Sequence, residues 1–216
     1  MARVSLIVST WIAISALSVS AAAQKAHSVG ATVAVSEPDA AKAERFIRNK
    51  HDKVRRVLRK PDTPKRAEEL TDLLGEFLDY ERLARLSLDE EWDKRTPRER
   101  ERFVSLLRQL VERQYQRNME STLDYEVTWV GTEPIEGGVK VKSSARSRSK
   151  KRQPPVTIDY NMSQTGNHWK AFDIFTDDVS LVKNYKRQFR RVIADEGWDG
   201  LIERMEKKLE ERDPLP

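Results

Sequence analysis

The sequence contains no cysteine among its 216 residues. Disulfide bonds, thiol catalysis, cysteine-ligated zinc and a lipid anchor on cysteine are therefore excluded. The sequence also lacks a Gly-x-Ser-x-Gly elbow and a phosphate-binding loop, so serine acyl transfer and ATP hydrolysis by these routes have no basis in it. Its histidines, His27, His51 and His168, do not have metal-ligand spacing, and we interpret each as a solvated residue. We expect no metal, no cofactor and no catalytic residues.

Charged residues are abundant and mixed in sign. Lys and Arg number 40 against 35 Asp and Glu, which gives a formal net charge of +5, and most of these charges interleave along the chain. A basic balance of this kind does not by itself indicate a nucleic-acid partner, and we expect none. The hydrophobic content of 38% is enough to build a core, so length and composition indicate one folded domain.

Residues 1–23 have the organisation of a secretory signal peptide. Arg3 gives a positive start, a mostly apolar run follows, and three small residues end at Ala23. This pattern predicts cleavage after Ala23, then a flexible leader at residues 24–35 and a single domain at residues 36–211. The alternative is an uncleaved membrane anchor, but the apolar run is short for a spanning helix of about 20 apolar residues.

Apolar residues recur at helical spacing in the first and last parts of the domain. The helix after Thr96 is the clearest, because Thr96 and Glu99 form a capping box before a regular apolar stripe. Gly197 is expected to end the long helix of the C-terminal part. Residues with capping chemistry predict where the helices begin: Ser36, Thr63, Asp79, Thr96 and Ser180.

The apolar period changes to two in the middle of the domain. Residues 125–131, 139–142, 156–162 and 167–175 alternate as strands do, with Gly137 and Gly138 at the first turn. Helices, then consecutive strands, then helices indicate an α+β fold. We predict a four-stranded antiparallel meander packed against N-terminal and C-terminal helices around an apolar pocket.

Two stretches carry a recognisable family pattern. The first includes Asp79–Tyr80–Glu81–Arg82–Leu83–Ala84–Arg85, Trp92, Thr96–Pro97–Arg98–Glu99–Arg100 and Phe103. The second includes Ile158–Asp159–Tyr160, Trp169–Lys170–Ala171–Phe172–Asp173–Ile174 and Val179–Ser180–Leu181–Val182–Lys183–Asn184–Tyr185–Lys186–Arg187–Gln188–Phe189. With these residues the chain resembles the MlaC family of periplasmic phospholipid-binding proteins, also called toluene-tolerance proteins, over residues 36–209. One departure is Ser87–Leu88–Asp89, where family members usually carry Leu-Gly, so we expect a different local turn.

The resemblance implies a function in lipid transport. It implies a periplasmic carrier that is no enzyme, shuttles phospholipid between outer-membrane and inner-membrane components and maintains outer-membrane lipid asymmetry. The implied partners are a phospholipid ligand, an outer-membrane lipoprotein complex and an inner-membrane ABC transporter with a substrate-binding ring. The carrier is expected to be a monomer.

A lipid pocket in this fold would be lined by apolar side chains from the sheet and the helices. The same periodicity is equally typical of a solid core, so the pattern leaves both interpretations open for each residue. Our candidates are Leu83, Leu86, Phe103, Leu107, Leu110, Val127, Trp129, Val141, Ile158, Tyr160, Phe172, Ile174, Tyr185 and Phe189.

A basic stretch is predicted at the hairpin between the second and third strands. It is either a solvated loop tip or a docking surface for anionic headgroups or an acidic partner. RNA binding is less favoured because no aromatic residues interleave with the cations. The stretch contains Arg146, Arg148, Lys150, Lys151 and Arg152.

Two alternatives to the carrier remain open from the sequence. One is a periplasmic α+β pocket enzyme with Asp159 or Asp173 as the base, since a strand carboxylate facing a pocket can accept a proton. The other is an interaction module that holds no ligand.

Overall fold

The computed structural model describes residues 37–166 and 168–211. The predicted signal peptide (1–23), the predicted leader (24–35) and the predicted cap at Ser36 lie outside the described residues.

Three of the helices that precede the sheet begin at predicted capping residues. Thr63, Asp79 and Thr96 each accept a hydrogen bond from a backbone N–H of the first turn, and Thr96 with Glu99 forms the predicted capping box. The elements are α1 (Glu37–Leu58), α2 (Pro64–Phe77), α3 (Tyr80–Leu88), α4 (Glu90–Asp93), α5 (Pro97–Asn118) and a 3₁₀ helix (Met119–Asp124).

The strands form the predicted antiparallel meander. The bounds are β1 (Tyr125–Ile135), β2 (Gly138–Ser147), β3 (Val156–Thr165), β4 (His168–Thr176) and a short β5 (Val179–Ser180), in the spatial order β1-β2-β3-β4-β5. The α+β prediction is therefore confirmed, with β5 as an addition to the four predicted strands. A bulge between Trp129 and Gly131 lets β1 continue beyond its predicted end.

Strand β2 extends beyond the predicted residues 139–142. The prediction was too short because later inward positions of the strand carry serines and not apolar residues. Ser143 and Ser147 are buried, where the hydrophobic pattern gave no strand signal. The Ser143 hydroxyl donates to the carbonyl of Ile158 at 2.5 Å, and the Ser147 hydroxyl donates to Asp124 Oδ2 at 2.6 Å. Both hydroxyls are thus satisfied inside the protein.

The chain ends in α6 (Leu181–Glu210), which Ser180 caps as predicted. Gly197 interrupts this helix with φ 75° and ψ −176°, so the predicted break is present and the helix resumes after it. The helix packs on α3 and α5, where Phe189 meets Phe103 edge to face at 5.3 Å between ring centroids. The residue at the departure from the family pattern, Asp89, ends α3 with φ 55° and ψ −124°.

The buried apolar residues form two clusters. The larger one joins α3, α5 and α6 to the inner face of the sheet and to one end of α1. The smaller one lies between α1, α2 and the 3₁₀ helix and consists of Val57, Leu58, Leu70, Leu74 and Met119. The space between these two clusters is the part of the fold that positions the site described below.

An apolar cavity between the first helices and the sheet

A cavity separates the two hydrophobic clusters. Its walls come from α1, α2, the end of α5, the 3₁₀ helix and the first four strands, and fourteen of its eighteen lining residues are apolar or aromatic. They are Ile47, Lys50, His51, Val54, Leu73, Leu74, Phe77, Tyr115, Met119, Thr122, Tyr125, Val127, Ala145, Val156, Ile158, Tyr160, Ile174 and Thr176.

The strands contribute to the cavity at one end of the sheet. Val127 pairs with Ala145, Ala145 pairs with Val156, and Ile158 pairs with Thr176, so these residues form adjacent rungs. This end holds the start of β1, the end of β2, the start of β3 and the end of β4. The cavity therefore lies beside the loop that joins β2 to β3.

The cavity is partly open to solvent. Its volume is about 150 Å³. An apolar void of about 150 Å³ stays dry and can accept a guest as small as benzene. A cavity of this size therefore admits a short alkyl segment.

Two tyrosines of the cavity wall carry no charge at physiological pH. Burial raises the pKa of Tyr115 to about 12, and burial also raises the pKa of Tyr160. Both phenols are therefore neutral at physiological pH. Tyr160 packs edge to face on Phe77 at 5.8 Å, which closes the wall between α2 and β3.

Ion pairs and hydrogen bonds hold α1 against the rest of the wall. Lys50, which lines the cavity, pairs with Glu76 of α2, and this ammonium contact lowers the pKa of Glu76. In the last turn of α1, Arg55 donates to the carbonyl of Tyr125 at 2.7 Å. These contacts connect α1 to both of its neighbours across the cavity.

A family model described as MlaC protein matches residues 48–207. The chain belongs to the MlaC family. Among solved structures, it is similar to a phospholipid-binding protein from Ralstonia solanacearum in complex with a phospholipid, with a TM-score of 0.66 and 20% sequence identity. That match covers 78% of this chain and 97% of the other, and it shows the MlaC fold. A comparison with curated proteins finds no significant match.

Four of the fourteen candidate pocket residues of this MlaC family member lie on the cavity wall. They are Val127, Ile158, Tyr160 and Ile174, all from the sheet. Trp129 lies next to them, with its ring centroid 6.4 Å from that of Tyr160. The strand alternation thus identified the face of the sheet that borders the cavity.

The other candidates do not line this cavity. Six of them are buried in the larger core cluster: Leu83, Phe103, Leu107, Leu110, Val141 and Phe189. Tyr185 stacks on Phe189 at 5.3 Å, and Phe172 is buried beneath the guanidinium of Arg82 at 3.6 Å. Whether any of these residues contacts a lipid stays a prediction.

Leu86 lies on the outer side of α3 and is 38% exposed. The buried face of α3 is formed by Leu83, Ala84, Ser87 and Leu88. Leu86 points away from the middle of that face because successive helical residues are rotated by about 100°. A spacing of three from Leu83 was therefore not enough to place it inside.

Sequence reasoning missed the contribution of the first two helices to the cavity. Five apolar residues of α1 and α2 line the cavity, although none of them was among the candidate pocket residues: Ile47, Val54, Leu73, Leu74 and Phe77. Nothing local in the sequence shows that the apolar faces of α1 and α2 leave a gap between themselves and the sheet.

His51 corrects the interpretation of all three histidines as solvated. It lines the cavity, its side chain is only 23% exposed, and its ring lies edge to face with Trp129 at 6.0 Å. Burial, with the nearby positive charge of Arg55, lowers its pKa. The neutral imidazole therefore adds no charge to the cavity wall at neutral pH.

The basic stretch lies where the sequence predicted it, at the β2–β3 hairpin. Arg146 is on the outward side of β2, and the other four residues are in the following loop, all of them exposed. The loop is fastened at its start, because Arg148 N donates to the carbonyl of Asp124 at 2.8 Å. Lys150, Lys151 and Arg152 are exposed to solvent.

The two strand aspartates of the enzyme alternative do not border the cavity. Asp159 accepts a long hydrogen bond of 3.4 Å from Ser143 N. Asp173 is buried and accepts hydrogen bonds at the start of α6, from Ser180 and from the backbone of Val182. In the part of the chain that the structure describes, both carboxylates thus serve hydrogen bonding within the fold.

Two features are absent from residues 37–166 and 168–211. No cluster of three or more His, Asp or Glu side chains with the arrangement of a metal site occurs among them. Over the same residues, none of the helices combines the length and the apolar character that crossing a membrane requires.

Proposed function

We propose that this protein is a periplasmic carrier that holds a phospholipid by its acyl chains and moves it between membranes. The observation that carries the proposal is the apolar cavity between α1, α2 and the sheet. Membership of the MlaC family supports it, as does the fold shared with a protein whose structure holds a phospholipid.

The chemistry of the cavity suits an alkyl chain better than a polar substrate. Its walls are largely apolar, Tyr115 and Tyr160 are neutral, and its histidine has a lowered pKa. A group that binds there gains from leaving water and finds few polar partners to orient it. This is what retention of hydrocarbon requires, and it leaves the headgroup to be bound at the mouth.

The energetics of such a carrier are those of an exchange between apolar environments. Burial of one methylene gains about 0.8 kcal/mol relative to water, so two long acyl chains gain more than about 20 kcal/mol. That exceeds the ceiling for noncovalent affinities near −18 to −21 kcal/mol. The bilayer is therefore the relevant starting state, and a cavity of similar polarity permits both uptake and release.

The cellular part of the proposal rests on the N-terminal pattern and on the family. Residues 1–23 act as a signal peptide cleaved after Ala23, which exports the domain to the periplasm. There it meets an outer-membrane lipoprotein complex and the substrate-binding ring of an inner-membrane ABC transporter, and it contributes to outer-membrane lipid asymmetry. The carrier works as a monomer and uses no ATP itself.

Native mass spectrometry of the purified protein tests the proposal. We expect a complex heavier than the polypeptide by the mass of one phospholipid, which organic extraction releases and tandem spectra identify. Extraction of an unrelated exported protein purified in the same way controls for contaminating lipid. A bare polypeptide mass with no lipid in the extract contradicts the carrier and favours the interaction module without ligand.

A further inference from the structure

Cationic side chains gather at the end of the cavity where the strands contribute. Arg55 lies in the last turn of α1, and Arg148 lies at the start of the β2–β3 loop. Within residues 37–166 and 168–211, neither guanidinium forms an ion pair with a carboxylate. Their charges are available to an anion that enters from outside the protein.

Arg55 is bound to two residues of the cavity wall. One of its terminal nitrogens, Nη1, donates to the carbonyl of Tyr125 at 2.7 Å and to that of Thr122 at 3.4 Å. Both Tyr125 and Thr122 line the cavity. The contacts position the guanidinium beside these lining residues and leave its other N–H groups to further acceptors.

Arg148 is brought to the same place by the loop that carries it. Asp124, at the end of the 3₁₀ helix, accepts from Arg148 N through its carbonyl and from Ser147 and Ser149 through its carboxylate. These bonds tie the loop to the residue that precedes Tyr125. The two arginines therefore approach each other across the start of β1.

Arg55 lies close enough to Arg148 and Arg59 to be repelled by their charges. Burial lowers the pKa of Arg55, and repulsion from Arg148 and Arg59 lowers it further, whereas Asp52 and Glu126 only partly oppose these effects. Like charges held near each other gain most from an anion placed between them.

From this arrangement we infer that Arg55 and Arg148 bind the phosphodiester of a phospholipid whose acyl chains occupy the cavity. The inference rests on the proposed function and adds a headgroup subsite to it. A guanidinium forms paired N–H···O bonds with a phosphate and keeps its charge at all physiological pH values. An apolar cavity with two cations beside it then matches the amphipathic order of a phospholipid, which has apolar tails at one end and a phosphate at the other.

Competition between two lipids with the same tails tests the subsite. Purified protein, stripped of its own lipid, is incubated with vesicles that contain phosphatidylglycerol and diacylglycerol in equal amounts, and the retained lipids are quantified by mass spectrometry. Arg148→Gln removes one cation, and Arg55→Lys keeps the charge but removes the planar fork. Arg191→Gln, at an exposed position of α6, is the control of equal charge change.

We expect Arg148→Gln and Arg55→Lys each to lower the ratio of retained phosphatidylglycerol to diacylglycerol about tenfold. The total amount of retained lipid should stay the same, and the control variant should keep the wild-type ratio. An unchanged ratio in both variants overturns the subsite and leaves the carrier intact. Wild-type protein that retains neither lipid overturns the carrier, and the subsite with it.

Two further readouts distinguish a headgroup subsite from a site for free phosphate and from a membrane-docking surface. If inorganic phosphate binds tightly while diacylglycerol stays in the cavity, the arginines form a site for free phosphate, and the headgroup subsite is contradicted. An unchanged lipid ratio combined with slower transfer to anionic vesicles assigns Arg148 to membrane docking and contradicts it as well.

Discussion

The hydroxyl of Ser180 donates a hydrogen bond of 2.7 Å to Asp173 Oδ2, which connects β4 to the start of α6. Ser180 Oγ also accepts from Lys183 N at 3.0 Å, and Asp173 Oδ1 accepts from Val182 N at 3.0 Å. The two side chains together satisfy backbone donors of the first turn of α6. The pair therefore fastens the C-terminal helix to the sheet.

We predict that Ser180→Ala lowers the free energy of unfolding by about 1–3 kcal/mol. The substitution removes the N-cap, which is worth about 1 kcal/mol, and it deprives a buried carboxylate oxygen of its donor. Urea unfolding followed by circular dichroism measures the change. Ser105→Ala, at an exposed position of α5, is the control and should change stability by less than about 0.5 kcal/mol. Equal stability of the two variants would show that the pair does not fasten α6.

The pH dependence of stability reports on Asp173. Burial raises its pKa, although hydrogen bonds from Ser180 and the backbone oppose the shift. The native carboxyl thus keeps its proton to a higher pH than the unfolded chain does. Ionisation of Asp173 therefore costs stability as the pH rises from the ordinary pKa of 3.8 through the raised native pKa.

Asp173→Asn does not titrate, so it isolates this effect. We expect the stability of the wild type minus that of Asp173→Asn to fall with rising pH across that window and to be constant above it. Urea unfolding of both proteins between pH 3.5 and about 7 gives the difference. A difference that rises with pH is incompatible with a raised pKa.

Local chemistry made the Ser180 cap predictable from the sequence, because a cap needs only a hydroxyl and the helix that follows it. The same holds for the capping box at Thr96 and for the alternation that put Ile158 on the inner face of the sheet. These features depend on residues within a few positions of each other, so pattern and propensity determine them. The α+β architecture follows from the order of such elements.

The cavity could not be derived in this way. Ile47 and Ile174 lie on opposite walls of it and are 127 positions apart in the chain. Periodicity identifies both as buried, but whether neighbours fill the space between them depends on how α1 and α2 pack over the sheet. Phe103 and Leu107 have the same pattern and are buried in the larger core cluster, but they do not line the cavity.

Asp89 lies in a backbone conformation that favours glycine, with φ 55° and ψ −124°. Its carboxylate pairs with Lys186 at 2.6 Å, an exposed contact that lowers the pKa of Asp89 and contributes at most about 1 kcal/mol. Strain at such a residue costs about 1–3 kcal/mol. We predict that Asp89→Gly is more stable than Asp89→Ala by at least about 1 kcal/mol, because both lose the ion pair and only glycine relieves the strain. Thermal unfolding of the two variants decides this, and Asp89→Ala of equal or greater stability contradicts it.

Filling the cavity should prevent lipid retention without loss of the fold. Val156 is the first residue of β3 and lines the cavity, so Val156→Trp places an indole in the space that an alkyl chain needs. We expect Val156→Trp to bind less than half as much lipid as the wild type and to have an unfolding temperature equal to or above that of the wild type. Val130→Trp is the control, because Val130 is 65% exposed on β1. Normal lipid content in Val156→Trp shows that the ligand lies elsewhere.

The β2–β3 loop should govern how fast lipid is delivered. Lys150, Lys151 and Arg152 are exposed at its tip, so reversal of all three to Glu changes the encounter with an anionic surface while the cavity stays intact. We expect slower transfer to anionic vesicles and a weaker dependence of the rate on salt, with bound lipid unchanged. The matched control reverses Arg187, Arg190 and Arg191 on α6, which gives the same change in net charge at another place. If both triple variants slow transfer equally, the net charge of the protein and not the loop controls delivery. If the loop variant transfers lipid at the wild-type rate, the loop has no role in delivery.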